Sequence, residues 1–193
     1  MKPVFIFISL LSITGPLFGQ GFAILTDQLI EPAKKQADKG FTEYDVGNIV
    51  LFSGNYKNYE EFYILDKNTS DKIYEYKEDE PKARHLYPRF FMTPDNPDLI
   101  IITMSLEGNY SWGSHIFMVD HNKVTHPGFL PYGADNFNFS ALGLYCQFEQ
   151  HDGWYIMFFQ DNEKIIKYDT DELIDSSDLE FKIEKDKITR LNK

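Results

Sequence analysis

The sequence has few of three features that often decide a protein's class: cysteines, positive charges and long apolar runs. Its only cysteine, Cys146, excludes an internal disulfide, so a folded domain must be stabilised by its apolar core. Lysine and arginine together number 19 against 30 acidic residues, which gives a formal net charge of -11. This charge disfavours nucleic acid and anionic membrane surfaces as partners, because both are bound through clustered positive charge.

Motifs of the common enzyme classes are also missing. The chain contains no Gly-x-Ser-x-Gly elbow, phosphate-binding loop, dinucleotide fingerprint or Cys-x-x-Cys pair. We therefore expect no cofactor and favour a protein that is not an enzyme. The question stays open at this point, because paired catalytic carboxylates need not lie close together in sequence.

The apolar run at the N-terminus is typical of a secretory signal. Lys2 precedes the apolar segment Val4–Ile13, and Thr14-Gly15-Pro16 ends it. The run is shorter than the roughly 20 residues that cross a membrane. We predict a cleaved signal peptide over residues 1–20 and a single mature domain over residues 21–193. The protein is then exported, either periplasmic or secreted, with no stable membrane insertion after cleavage.

The density of β-forming residues is highest in the middle of the chain. Leu99–Leu106 is rich in isoleucine and ends in apolar–polar alternation, and the polar, glycine-containing segment Glu107–Ser114 follows it. The chain returns as His115–Asp120, and His121-Asn122 fits a two-residue turn into Lys123–His126. These features predict a three-stranded antiparallel meander.

The rest of the chain repeats this pattern of short strands separated by turn residues. We predict an all-β domain of about ten antiparallel strands in meander order, forming a barrel or a sandwich. Residues 21–40 are predicted to be a partly helical lead-in, because Pro32 suits a first helical turn and Gly40 a helix end. A short helical turn is predicted over Thr170–Ile174, and Thr125–Asn136 is predicted to be irregular because it contains several Pro and Gly residues.

Two segments of the chain resemble each other at a distance of 54 residues. Gly54-Asn55-Tyr56 matches Gly108-Asn109-Tyr110, and the strand-ending Asp66 matches Asp120. This spacing is close to the roughly 40–50 residues of a propeller blade, so a compact β-propeller-like repeat is the alternative fold. Chance resemblance between two meanders with similar turns explains the match equally well.

Aromatic residues stand among Gly, Asn and Pro in several predicted loops. Rings on polar loops stack on sugars or anchor a protein partner, and they also fold back over a core. The candidate ligand-binding residues are Tyr56, Tyr59, Tyr110, Trp112, Phe129 and Tyr132.

Two histidines are candidate metal ligands. If Asp120 pairs with Lys123, then His115 and His126 lie diagonally on one face of the hairpin. Diagonal neighbours are about 7–8 Å apart, within reach of a shared metal ion. The sequence identifies no third ligand, and hydrogen-bonded strand histidines are the alternative interpretation.

The function that fits these features best is an exported binding module that recognises a protein or a glycan through its aromatic loops. One alternative is a periplasmic inhibitor or immunity-type protein whose acidic face masks a basic enzyme. A lipocalin-like carrier fits the length and the meander, but it requires an apolar cavity. A metal-dependent hydrolase would be built on His115 and His126. The oligomeric state is left open.

Overall fold

A computed structural model describes residues 24–28, 34–36, 40–54, 61–77, 85–93, 96–107, 111–134, 146–159 and 164–191. Within these ranges the predicted all-β class is confirmed: the chain forms seventeen strands and one 3₁₀ turn, and it contains no α-helix. No helix of this described part is long and apolar enough to cross a membrane. The predicted signal peptide, residues 1–20, lies outside the described residues.

The strands pair in an antiparallel manner in three sheets. In chain order they are β1 (Ile24–Gln28), β2 (Lys34–Gln36), β3 (Phe41–Val46), β4 (Ile49–Gly54), β5 (Glu61–Asp66), β6 (Lys72–Lys77), β7 (His85–Thr93), β8 (Asn96–Glu107), β9 (Ser111–Asp120), β10 (Lys123–Leu130), β11 (Tyr132–Ala134), β12 (Cys146–Gln150), β13 (Tyr155–Phe159), β14 (Lys164–Lys167), β15 (Glu172–Asp175), β16 (Glu180–Ile183) and β17 (Ile188–Arg190). The largest sheet has the order β10-β9-β8-β7-β1-β12-β13-β16-β17. The second has the order β2-β3-β4-β5-β6, and the third β11-β14-β15.

The predicted meander is confirmed by β8, β9 and β10. Asp120 pairs with Lys123, and the two-residue turn His121-Asn122 joins them. His121 has a φ of 58°, the left-handed conformation that tight hairpin turns use. A bulge between Thr125 and Gly128 then shifts the register of β10 against β9.

The first strand of this meander, β8, is buried on both faces. Ile100, Ile102 and Met104 point to one side of the sheet and are fully buried. Leu99 and Ile101 point to the other side and are buried in a different apolar cluster. Alternate residues of a strand face opposite sides, so a strand between two cores requires a continuous apolar run such as this one.

The nine-stranded sheet curls around the first core. Its inward side chains form one apolar cluster that extends from β1 to β17. Its edge strands β10 and β17 approach each other, since a Cβ at Gly128 would lie 3.6 Å from Cδ1 of Ile188. These two edges do not pair in the described ranges, so the sheet is not a closed barrel. The three-stranded sheet covers one end of the curl, where Tyr132, Ile165 and Ile174 join the cluster.

The second core lies between the five-stranded sheet and the outer face of β7–β10. Phe62 of β5 meets Phe117 of β9 edge to face, with ring centroids 4.8 Å apart. Ser53 Oγ donates a hydrogen bond of 3.1 Å to the carbonyl oxygen of Leu86, which joins β4 to β7. Two antiparallel sheets packed face to face in this way form a sandwich, one of the two predicted architectures.

The 54-residue similarity has a structural counterpart. Each copy belongs to a four-stranded meander, β3–β6 in one sheet and β7–β10 in the other, and Asp66 and Asp120 each end the third strand of their meander. The two meanders face each other across the second core. This stacking favours the sandwich over a propeller, whose blades surround a central channel.

Three local predictions are wrong for a common reason. Lys34–Gln36 forms β2 against β3, where a helix was expected. Glu172–Asp175 forms β15 against β14 in place of a helical turn. The segment expected to be irregular remains a strand up to Leu130 and pairs again over Tyr132–Ala134. In each case a distant strand supplies hydrogen-bond partners, and this pairing overrides local preference.

Candidate functional site

One end of the curled sheet is covered by no described element and is formed by turns; we call it the uncovered end. The β9–β10, β12–β13 and β16–β17 turns meet there beside the first residues of β8. Gly153, at the tip of the β12–β13 turn, has a φ of 80° and gives this turn its sharp bend. Because the strands are antiparallel, successive turns alternate between the two ends of the sheet, and these three fall at the end opposite the three-stranded sheet.

A cavity of 210 Å³ opens at this end. Its floor consists of Leu99, Met118 and Tyr155, which are buried members of the first core. An apolar floor beneath a few polar groups is the usual composition of a small-molecule site. The wall is formed by Asn96, Asp120, Lys123, Thr125, Gln150, His151, Gly153 and Lys185.

Two lysines of the cavity wall have no carboxylate partner among the described residues. Lys123 begins β10 and Lys185 lies in the β16–β17 turn, and neither amine is within 4.0 Å of an acidic side chain in the described part of the chain. The other lysines with described side chains each have such a partner: Lys67, Lys72, Lys77, Lys164, Lys167, Lys182 and Lys187. Uncompensated positive charge is therefore found at the cavity of a protein whose net charge is -11.

Asp120 contributes a negative charge to the same wall. Its Oδ1 is hydrogen-bonded to His121 Nδ1 at 2.8 Å, and this bond, with the charges of Asp120 and Asp98, raises the pKa of His121. Burial, and secondarily the charge of Asp120, raise the pKa of Tyr155 to about 12. The Tyr155 hydroxyl therefore keeps its proton at neutral pH and is a hydrogen-bond donor at the cavity floor.

The β12–β13 side of the wall is fixed by its own contacts. The rings of His151 and Trp154 stack with centroids 3.9 Å apart and an interplanar angle of 6°. His151 Nε2 lies 2.9 Å from Glu149 Oε1, and the Lys182 amine lies 5.0 Å from the centre of the Trp154 ring. These contacts hold the wall in place without a ligand, as expected for a site that is formed in advance.

The predicted histidine pair lies on the other face of the sheet, at the margin of the second core. His115 Nδ1 and His126 Nε2 are 3.1 Å apart, within the reach expected of two imidazole side chains at diagonal strand positions. His115 Nε2 is also 3.1 Å from Tyr76 Oη of β6. A hydrogen-bonded chain therefore connects the five-stranded sheet, β9 and β10.

The contacts between Tyr76, His115 and His126 use the imidazole nitrogens that a metal ion would need. A metal shared by His115 and His126 would have to replace the direct contact between their rings. No group of three or more His, Cys, Asp or Glu residues comes together to hold an ion within the described ranges. The metal site stays a prediction, and elemental analysis of the purified protein would test it.

Aromatic rings surround the histidine pair. Phe117 stacks on His126 with centroids 4.5 Å apart, and Phe129 lies 4.8 Å from His115. Gly113 permits this position of Phe129, because a Cβ there would lie 2.5 Å from Phe129 Cζ and 2.5 Å from the carbonyl oxygen of Leu130. The histidines are therefore packed as part of the edge of the second core.

The aromatic residues predicted to bind a ligand have different positions. Trp112 belongs to β9, but its side chain is not described. Phe129 is 39% exposed beside the second core. Tyr132 was predicted on a loop, but it lies in β11, is 5% exposed and packs on Phe181 with centroids 5.3 Å apart. Outside the described residues lie Tyr56, Tyr59 and Tyr110.

No protein-family model, curated protein or solved structure matches this chain.

The cavity was not predicted from the sequence, although part of the signal is present there. The turns at His121-Asn122, Asp152-Gly153 and Lys185-Asp186 are recognisable from their residues. Grouping them at one end requires the strand order of the curled sheet, in which β1 joins the β7–β10 half to the β12–β17 half. Local sequence patterns carry no information on that order.

Proposed function

We propose that the protein binds a small molecule in the cavity at the uncovered end of the curled sheet and acts as a carrier or binding protein. The observation that carries this proposal is the composition of the cavity. A buried apolar floor of Leu99, Met118 and Tyr155 lies beneath a polar wall that includes two lysines without carboxylate partners in the described part of the chain. Among the functions considered from the sequence, the carrier is the one that requires such a cavity.

The volume of the cavity restricts the size of the ligand. An apolar cavity of about 150 Å³ is enough to hold benzene. A cavity of 210 Å³ therefore suits one ring, or an equivalent aliphatic group, with a short polar substituent. Pockets for drug-sized ligands typically have roughly 300–1,000 Å³, so we expect a smaller ligand than these.

The substitution Thr125→Phe tests the proposal. Thr125 lines the cavity and pairs with Met118 across the ladder, so a phenyl ring at this position would occupy the space of the ligand. Compounds that stabilise the full chain in a thermal-shift screen of small metabolites should bind this variant at least about tenfold more weakly, because their contact with the floor is lost.

Thr189→Phe is the matched control. Thr189 is exposed on β17 and alternates with Ile188, which packs on the first core, so its side chain points away from the interior. This variant should bind every such compound like the unaltered protein. The proposal is wrong if no compound binds, or if Thr125→Phe binds the screened compounds as tightly as the Thr189→Phe control.

A protein or glycan partner that binds through aromatic loops is the second candidate. The observation that favours it is the exposed ring of Phe129, which stands beside His115 and above Gly113. Phe129→Ala should weaken capture of a partner from host extract at least about tenfold if this ring is an anchor. Unchanged capture would remove Phe129 from the binding surface. Export and the acidic inhibitor alternative stay predictions from the sequence.

A further inference from the structure

We propose that the cavity selects a small organic anion, a carboxylate that carries one short apolar group. This inference rests on the proposed function and specifies its ligand class. It follows from the position of the unpartnered lysines, from the balance of charge around the cavity and from the apolar floor.

The two lysines line the same cavity from different parts of the sheet. Lys123 belongs to β10 and Lys185 to the turn before β17, and β10 and β17 are the two edge strands that approach each other without pairing in the described residues. We therefore expect one anion in the cavity to interact with both amines. Lys164 and Lys182 differ from these two lysines, because each places its amine within 3 Å of a carboxylate of the same protein.

The charge of the wall favours a ligand with one negative charge. Lys123 and Lys185 contribute two positive charges, and Asp120 contributes one negative charge that is already hydrogen-bonded to His121. A monoanion would neutralise the remaining positive charge. A cationic ligand would add a third positive charge, and a neutral ligand would leave both amines without a partner.

The apolar floor of the cavity is the reason why we expect the ligand to carry an apolar group. Leu99 and Met118 offer only apolar side-chain surface, while the Tyr155 hydroxyl keeps its proton and can donate a hydrogen bond to a carboxylate. A free inorganic anion would leave the apolar floor exposed to water. A carboxylate with a ring or a short alkyl group satisfies both parts of the cavity.

The experiment uses three probes of almost the same shape and different charge: phenylacetate, phenylacetamide and 2-phenylethylamine. Their binding to the full chain is followed by NMR titration or calorimetry at low and at high salt. We expect phenylacetate to bind at least about tenfold more tightly than either other probe, and its affinity to fall with salt because the lysines are exposed.

Lysine variants show where the charge selectivity arises. Lys123→Gln and Lys185→Gln should each weaken phenylacetate binding by up to about fivefold, as expected for exposed charge pairs, and the double variant by about tenfold. Binding of phenylacetamide should stay the same in these variants. Lys164→Gln is the matched control, because this lysine is paired with Asp175 on the three-stranded sheet at the covered end.

The outcomes separate this inference from the proposed function. Equal binding of acid and amide, both abolished by Thr125→Phe, would overturn the anion preference and leave the binding cavity standing. Preference for the amine, or acid binding that is unchanged in the double lysine variant, would also overturn it. Failure of all three probes while other screened compounds bind would reject this ligand class and leave the cavity proposal intact.

Discussion

On one face of β8, Ile100 and Ile102 are enclosed by a second sheet that covers the core along its length. On the other face, Leu99 and Ile101 belong to a core that the same sheet encloses by curling, and this core is uncovered at one end. The three strands β7, β8 and β9 thus border both interiors. Side chains on both sides of these strands are buried, and the two interiors differ in whether their ends are covered.

This difference indicates how one fold provides both stability and a binding site. A sandwich closes by placing one sheet on another, and here rings of both sheets, such as Phe62 and Phe117, fill the space between them. A curled sheet has two ends that its own strands do not cover. The three-stranded sheet covers one end, and the turns around Lys123 and Lys185 leave the other accessible. We expect substitutions in the sandwich core to change stability, and substitutions at the uncovered end to change binding.

The largest effect is expected from Phe62→Ala in the sandwich core. Phe62 is fully buried and contacts Tyr74, Tyr76 and Phe117. The variant should lose about 3–5 kcal/mol of unfolding free energy in urea denaturation, since a large cavity replaces the ring. Tyr63→Ala, its partly exposed neighbour on the other face of β5, is the control and should cost clearly less. A loss below about 1 kcal/mol for Phe62→Ala would contradict the assigned core.

A smaller difference in unfolding free energy is expected between the alanine variants of Tyr132 and Phe129. Tyr132→Ala should cost about 3 kcal/mol of unfolding free energy, because the ring is buried at the covered end of the first core and packs on Phe181. Phe129→Ala should cost less than about 1.5 kcal/mol, because much of its ring is already exposed. Equal losses in the two variants, measured by the same denaturation experiment, would show that the two rings are not in the different environments described here.

Thr103→Val should stabilise the protein. Thr103 lies on β8 with its side chain fully buried, and its hydroxyl has no hydrogen-bond partner among the described residues. Replacing the hydroxyl by a methyl group of similar size removes the cost of burying it, which is about 1 kcal/mol or more. Thr189→Val on the exposed part of β17 is the control and should be nearly neutral. A destabilised Thr103→Val protein would indicate that the hydroxyl does have a partner.

The smallest effect is a pH dependence at the β9–β10 turn. The pKa of His121 is raised by its hydrogen bond to Asp120 and by the charges of Asp120 and Asp98. A raised folded-state pKa stabilises the protein below the ordinary value of 6.5, and this contribution disappears as the pH rises through the raised value. His121→Gln should therefore be slightly destabilising at pH 5.5 and neutral at pH 9. Equal melting-temperature differences at both pH values would reject this linkage.

The sequence predicted the parts of this fold that depend on neighbouring residues. The alternation in Leu99–Leu106 placed β8 correctly, because side-chain direction has a fixed period of two. The register of Asp120 with Lys123 followed from a two-residue turn, which fixes the pairing of the strands beside it. The closeness of His115 and His126 followed from that register, because imidazole side chains at diagonal positions on one face of a hairpin can reach each other.

The parts that were missed depend on residues far apart in the chain. Lys34–Gln36 is a strand because β3 pairs with it, although its residues suit a helix. Tyr132 is buried because Phe181, 49 positions later, packs against its ring. The cavity combines residues from Asn96 to Lys185, and its charge preference depends on which lysines lack a partner. The residues that line the cavity and the lysines that lack a partner cannot be identified from spacing along the sequence.

The division of β1 between two partners has a consequence for how the protein is made. Its last three residues pair with β7, but Leu25 pairs with Phe148 of β12, 123 positions later. At roughly 5–20 residues per second, a ribosome needs about 6–25 s to produce the chain between them. In the last third of this time β8 is already synthesised, while β12 and the later strands that complete the enclosure of one of its faces do not yet exist. A nascent chain of this protein therefore exposes one face of β8 until these later strands are made, which makes chaperone protection most necessary at that stage.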